Sequence, residues 1–207
     1  MHCCAWRCTD NRVDATARRL QLSGVYSHSS PAVGESAAHA SSVTRFVRVA
    51  ALLAFAVWVW RYMRETEPLL HGSLLIFHEA GHVLFMPFGE FMMVLGGSLF
   101  QLMVPAFFAA YFARRRDWYA TAFASLYLAA SFAGVAIYIA DARAGDLPLL
   151  GGERSNHDWT FLLIEMGMLD ADTTIGWYVM RVGELIFWTA LAAGGWFAWN
   201  HRPTAAD

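Results

Sequence analysis

The sequence predicts an all-α fold: a polytopic membrane helix bundle with about four to five transmembrane helices and one short interfacial helix. Hydrophobic residues make up 57% of the 207 residues and charged ones only 15%, which lies outside the usual balance of soluble domains. Several apolar runs approach or exceed the roughly 20 residues that span a bilayer. Trp, Tyr and Arg residues close several of these runs, as in the aromatic belts of membrane helices.

Residues 1–44 differ from the rest of the chain. They are polar and small and lack apolar periodicity, which predicts a disordered or doubtful N-terminal extension. Residues 45–202 are then the membrane-embedded domain. The three cysteines, Cys3, Cys4 and Cys8, have no matching second pair or histidine spacing, so we expect neither a zinc ribbon nor a disulfide framework.

The apolar runs of the second region predict membrane helices at 46–60, 69–86, 91–113, 119–140 and 175–199. Pro87 ends the second of these runs, because proline cannot continue a helix. A short apolar helix ending at Leu169 is too short to span, and we expect it in the interface or packed under the bundle. Gly96, Gly97 and Ser98 would let helices approach closely, and Gln101 would hydrogen-bond between helices.

The second run contains the sequence His78-Glu79-Ala80-Gly81-His82. Residues four apart lie on one face of a helix, so His78 and His82 can aim their imidazoles at one metal ion. Glu79 is then placed to deprotonate a water that the metal holds. Two imidazoles and a carboxylate are costly in apolar surroundings unless they pair or bind metal, which predicts a functional site.

A further metal ligand has to come from another part of the chain. The two histidines would lie about 6 to 13 Å below the membrane surface at Pro87, at 1.5 Å per residue. Each span crosses the membrane once. Counting the spans therefore puts three segments on the same membrane side as Pro87: the end of the 119–140 helix, the loop after it and the start of the last helix. Acidic and histidine candidates there are Glu90, Asp141, Asp146, Glu153, His157, Asp158 and Glu184.

In soluble zinc hydrolases with this motif, the third metal ligand follows the second histidine in a known pattern. The residues after His82 do not match either of two such patterns. The extended pattern with a third histidine needs Gly and His at the positions of Phe85 and Phe88. A third ligand from a glutamate on the following helix fails too, because no Glu occurs from Phe91 to Arg116. Both soluble classes are therefore excluded.

A membrane-embedded HEAGH helix followed by an acidic residue in a later span resembles the site-2-protease-like (M50-type) intramembrane zinc metallopeptidases. The resemblance covers about 69–141. It implies a Zn²⁺ cofactor, His78 and His82 as metal ligands, and Glu79 as the catalytic base. It also implies Asp141 as the third ligand, although Ala142 follows it where the family usually has glycine. His157 or Asp158 is the alternative third ligand.

The expected function is that of a membrane-embedded zinc-dependent hydrolase, most simply a peptidase that cleaves a membrane protein or peptide in or near the bilayer. The alternative is a non-enzymatic metal- or haem-binding membrane protein that uses His78 and His82. Membrane lipid is an expected partner, and nucleic acid is not, because no basic patch interleaved with aromatics occurs. We expect location in the bacterial inner (plasma) membrane. The sequence predicts no oligomeric state.

Overall fold

The computed structural model of the protein describes residues 31–65, 68–147 and 157–200. All of its regular elements in these ranges are helical, which confirms the predicted all-α class. Six α-helices follow one another, with short 3-10 turns at Met86–Phe88 and Leu169–Ala171. The helices are α1 (Pro31–Arg64), α2 (Pro68–Phe85), α3 (Glu90–Arg114), α4 (Trp118–Ala140), α5 (Asp158–Glu165) and α6 (Asp172–Trp199).

Four stretches are long and apolar enough to cross a membrane, as expected of an integral membrane protein. They are Ser42–Arg64, Pro68–Phe88, Glu90–Arg114 and Trp118–Ala140. Helix α6 has the length of a span but carries Arg181 and Glu184 in its middle, and it is not among the four. Among the described residues, four of the five predicted membrane helices are thus candidate spans, which agrees with the predicted total of about four to five.

The chain divides into two units, Met1–Thr44 and Arg45–Asp207. Of the first unit the structure describes residues 31–44, which form the beginning of α1. This part of the predicted N-terminal extension is therefore helical. The three cysteines lie outside the described residues.

The boundaries of α2, α3 and α4 lie within one residue of the predicted ends and follow local signals. Pro68 starts α2, where its missing N–H costs nothing, and the turn containing Pro87 ends it. The side chain of Asp117 caps α4 by accepting a hydrogen bond from the backbone N–H of Ala120 at 3.0 Å. Helix α5 ends at Glu165, four residues earlier than expected.

The core of the second unit lies where α1, α2, α4 and α6 meet. Helix α4 supplies mainly alanines to this core and packs along α6. Buried members of the core include Leu52 and Val59 of α1, Leu70 and Leu74 of α2, Leu126 and Ala130 of α4, and Phe187 of α6.

Helices α2 and α3 cross with their backbones in contact. A Cβ atom added at Gly81 would overlap the backbone oxygen of Gly96 and would lie 2.9 Å from the Cα of Gly97. Glycine is therefore required at this crossing, as the Gly96-Gly97-Ser98 sequence predicts. The close crossing brings α3 against the face of α2 that carries His78.

An ion pair between half-exposed Arg143 and buried Asp172 fixes the loop after α4 to the start of α6. Asp172 is only 1% exposed, and its carboxylate accepts from the Arg143 guanidinium at 2.7 and 2.9 Å. The backbone N–H of Thr173 donates to the same carboxylate. Because both charges are satisfied, this pair holds the end of the bundle from which α5 reaches the site.

Candidate metal centre

Helix α2 presents His78 and His82 side by side, one turn apart. Their ring centroids are 4.8 Å apart and the rings are nearly perpendicular. His78 is buried, with 6% of its surface exposed, and His82 is half-buried. The predicted convergence of the two imidazoles is thus present in the fold.

Helix α5 brings Asp158 to the two histidines from 80 residues further along the chain. Its Oδ2 atom lies 2.9 Å from Nε2 of His78 and 3.2 Å from Nε2 of His82. The ligand-type atoms of these three residues all lie within 4.8 Å of one another, as binding of one metal ion requires. Among the described residues, this is the group of three that could hold a metal.

The other ring nitrogen of each histidine has an acceptor that fixes its tautomer. Nδ1 of His82 lies 2.9 Å from the backbone oxygen of Met93, which can only accept, so Nδ1 carries the proton. Nδ1 of His78 lies 3.3 Å from Oε1 of Gln101. Both Nε2 atoms are therefore left to face Asp158, and this arrangement orients metal-binding histidines in known sites.

The orientation of the Gln101 amide is fixed by its own second contact. Its Nε2 atom donates to the backbone oxygen of Ser131 at 3.4 Å, so the amide oxygen must point toward His78. Gln101 is 6% exposed inside an otherwise apolar helix. Its predicted hydrogen bond between helices therefore serves the site.

Replacing Gln101 by Leu is expected to lower the zinc affinity about 10- to 100-fold, because His78 loses the acceptor that fixes its Nδ1 proton. Ser131→Ala is the matched control. It removes a neighbouring hydroxyl but keeps the backbone oxygen that Gln101 uses, so affinity should stay unchanged. Competition with a fluorescent zinc chelator measures both variants, and an equal loss in the two would contradict the assigned role.

Asp158 carries a full negative charge at neutral pH. Burial raises the pKa of this carboxyl, but hydrogen bonds donated by protonated Nε2 atoms of His78 and His82 outweigh burial and lower the pKa to about 2. A metal ion bound at the two Nε2 atoms would take the place of these protons. The backbone N–H of Asp158 donates to the Tyr138 hydroxyl at 3.2 Å. The start of α5 is thus fastened to α4 at the residue that faces the histidines.

Gly97 lies directly against the two ligand nitrogens. A Cβ atom at this position would lie 2.7 Å from Nε2 of His82 and 2.8 Å from Nε2 of His78. Any side chain would fill the space between the histidines and a bound ion. The sequence predicted close helix packing here but gave no signal that the packing is needed at the metal ligands themselves.

Glu79 lies on the exposed side of α2, directly after His78 and three residues before His82. Among the described residues it has neither a hydrogen bond nor an ion pair. Its carboxylate is therefore available to a water or a substrate at the open side of the site. A general base needs this accessibility.

Asp141 and His157 form a separate pair beside the metal group. Nε2 of His157 lies 3.3 Å from Oδ2 of Asp141, while the Asp141 carboxylate also accepts from the backbone N–H groups of Asp146 and Leu147. The His157 ring packs on Tyr138 with centroids 4.2 Å apart. Burial lowers the pKa of His157, against the opposite effect of Asp141. Of the third-ligand candidates, the structure brings Asp158 to the histidines, and Asp141 and His157 lie outside the group.

Other acidic candidates have different surroundings. Glu184 accepts from Arg181 at 2.6 Å and pairs with Arg64 at 3.5 Å. Glu90 is exposed at the first position of α3. Neither belongs to the group around His78 and His82.

Comparisons of the protein with family models, with curated proteins and with solved structures found no match. The resemblance to site-2-protease-like peptidases therefore stays a prediction.

Proposed function

We propose that the protein is a membrane-embedded zinc-dependent hydrolase, a peptidase that cleaves a peptide bond of a membrane protein or peptide in or near the bilayer. The observation that carries this proposal is the convergence of His78, His82 and Asp158, with Glu79 beside them. We propose the bacterial inner membrane as its location. All 15 basic residues are Arg, a composition that is common in GC-rich genomes.

The donor set fits Zn²⁺. Two neutral imidazoles and one carboxylate are the ligand types of catalytic zinc sites, which keep a fourth position open for water or substrate. The Nδ1 protons are held by Met93 and Gln101, which supports Nε2 of each histidine as the ligand atom. We therefore prefer Asp158 to Asp141 as the third ligand.

In the proposed mechanism a bound zinc ion supplies a Lewis acid that polarises the scissile carbonyl and makes water more acidic. His78, His82 and Asp158 would hold that ion. Glu79 takes a proton from the attacking water and delivers it to the leaving amine, as a general base and then a general acid. The apolar surroundings restrict other water from the site.

The replacement Glu79→Gln tests the catalytic proposal. It keeps size and polarity but removes the base, so we expect cleavage to fall about 10²- to 10⁴-fold with zinc content unchanged. Cleavage is measured in vesicles that contain the full chain and a library of transmembrane peptides, with products identified by mass spectrometry. Glu90→Gln, an exposed glutamate away from the site, is the matched control and should retain activity.

Full cleavage by Glu79→Gln would overturn the peptidase mechanism. The absence of any wild-type cleavage together with stoichiometric zinc would instead favour the non-enzymatic metal-binding alternative, which needs the histidines but not Glu79. Haem ligation is disfavoured by the geometry, because both Nε2 atoms face one carboxylate oxygen and not opposite sides of a ring.

A further inference from the structure

An apolar groove lies between α3 and α4, and its lining does not include His78, His82 or Asp158. Its volume is about 570 Å³, within the usual range for small-molecule sites. Aromatic and small apolar side chains form the walls, among them Phe77, Phe112 and Ala124. Phe108 lines the groove and is 46% exposed, so the groove opens on the outside of the bundle.

The length of the groove matches one leaflet of a bilayer. Its lining on α4 runs from Tyr119, at the start of a candidate span, to Tyr127. Eight residues of helix cover about 12 Å, whereas half of the hydrocarbon core is about 15 Å thick. At the inner end the Tyr127 hydroxyl is hydrogen-bonded to Ser73 of α2 at 2.8 Å.

A guanidinium with one unsatisfied nitrogen lies at the outer end. The Arg48 guanidinium is 4.3 Å above the ring of Tyr119, and the Tyr119 hydroxyl donates to the backbone oxygen of Arg48. The Nε atom of Arg48 is buried and has no hydrogen-bond partner among the described residues. An arginine within a span is costly unless an anion or water reaches it.

Further positive charge surrounds the same membrane surface. Arg114, Arg115 and Arg116 are exposed directly before α4 begins, and basic residues at the membrane surface attract anionic lipids. An apolar groove of leaflet length and a guanidinium whose Nε lacks a hydrogen-bond partner among the described residues are thus found together.

We propose that this groove binds one anionic phospholipid. One of its two acyl chains lies between Tyr119 and Tyr127, and its phosphate accepts hydrogen bonds from Arg48. The acyl chain ends against Phe77, the residue before His78. This site is independent of the proposed hydrolase activity.

Native mass spectrometry of the full chain, released from vesicles of equal phosphatidylglycerol and phosphatidylcholine, tests the proposal. We expect one retained phosphatidylglycerol in the wild type. Arg48→Gln should lower its retention about tenfold, since a charge-assisted hydrogen bond is lost. Ala124→Phe, which fills the groove, should lower it at least as much.

Two matched controls separate the site from general effects. Arg114→Gln removes a charge at the same surface without touching Tyr119, and Ala110→Phe adds an exposed ring on α3 outside the groove. Both should retain the lipid. Equal losses in Arg48→Gln and Arg114→Gln, no selectivity for phosphatidylglycerol, or full retention by Ala124→Phe would each overturn the proposal. A shift of Ala124→Phe from dimer to monomer would instead assign the groove to a second copy of the chain.

Discussion

Replacing Asp158 by Ala is expected to lower the zinc affinity by more than about 100-fold. Loss of an outer hydrogen-bond partner of a ligand already costs 10- to 100-fold, and Asp158 supplies a carboxylate oxygen 2.9 and 3.2 Å from the two histidine nitrogens. The substitution also removes the carboxylate that His78 and His82 share among the described residues. Chelator competition on detergent-solubilised protein measures the loss.

Asp141→Ala is the matched control for this prediction. Asp141 has the same chemistry and lies on the same side of the bundle, but it holds the backbone at Asp146 and Leu147 and faces His157. We expect its removal to lower zinc affinity tenfold or less. A larger loss for Asp141→Ala than for Asp158→Ala would assign the third ligand to Asp141, as the sequence resemblance implies.

Gly97→Ala is expected to abolish zinc binding although it adds a single methyl group. The new Cβ would lie 2.7 to 2.8 Å from the Nε2 atoms of both histidines, closer than such atoms approach without displacement. The rings would have to turn away from Asp158, and the ligand set would be lost. Zinc content and the circular dichroism spectrum, measured together, separate loss of the site from loss of the fold.

Gly72→Ala is the control, because it makes the same change on the site helix where nothing lies within 4 Å of the added Cβ. Alanine favours a helix by up to about 1 kcal/mol over glycine, so this variant should be as stable as the wild type or more stable and should keep its zinc. Normal zinc affinity in Gly97→Ala would show that the ion does not bind at these nitrogens.

Much of the fold could be predicted from composition and from the residues that start and end helices. Apolar runs of membrane length have few alternatives to a helix, because every backbone polar group has to be satisfied within the segment. Pro87 and Asp117 mark ends that local chemistry determines. The start of α1 could not be predicted in this way, because its first residues lack an apolar pattern.

The site was only partly predictable. The relative positions of His78, Glu79 and His82 could be predicted from their spacing, because all three lie on one helix. The third ligand depends on where a loop leads α5, and residues 148–156 of that loop lie outside the described structure. Counting of the spans placed Asp141 and Asp158 on the same side of the membrane, but it could not decide which of them is the third ligand. That depends on which carboxylate faces the histidines once α5 has packed.

The hydrogen-bond partners of His78 and His82 could also be predicted only in part. Gln101 could be found as a polar residue in an apolar helix, and its bond between helices was expected. The backbone oxygen of Met93 has no sequence signal, because every residue has one. Its role arises from the close crossing of α2 and α3 at Gly81 and Gly96.

The most direct test of the central claim is the metal content and X-ray absorption spectrum of the purified full chain. We predict one zinc ion per chain with only nitrogen and oxygen neighbours at about 2.0 to 2.2 Å, and imidazole scattering that is lost in a His78→Ala, His82→Ala variant. A sulfur shell at about 2.3 Å would move the metal to Cys3, Cys4 and Cys8. That result, or a chain that takes up no stoichiometric zinc, would contradict a zinc centre of His78, His82 and Asp158.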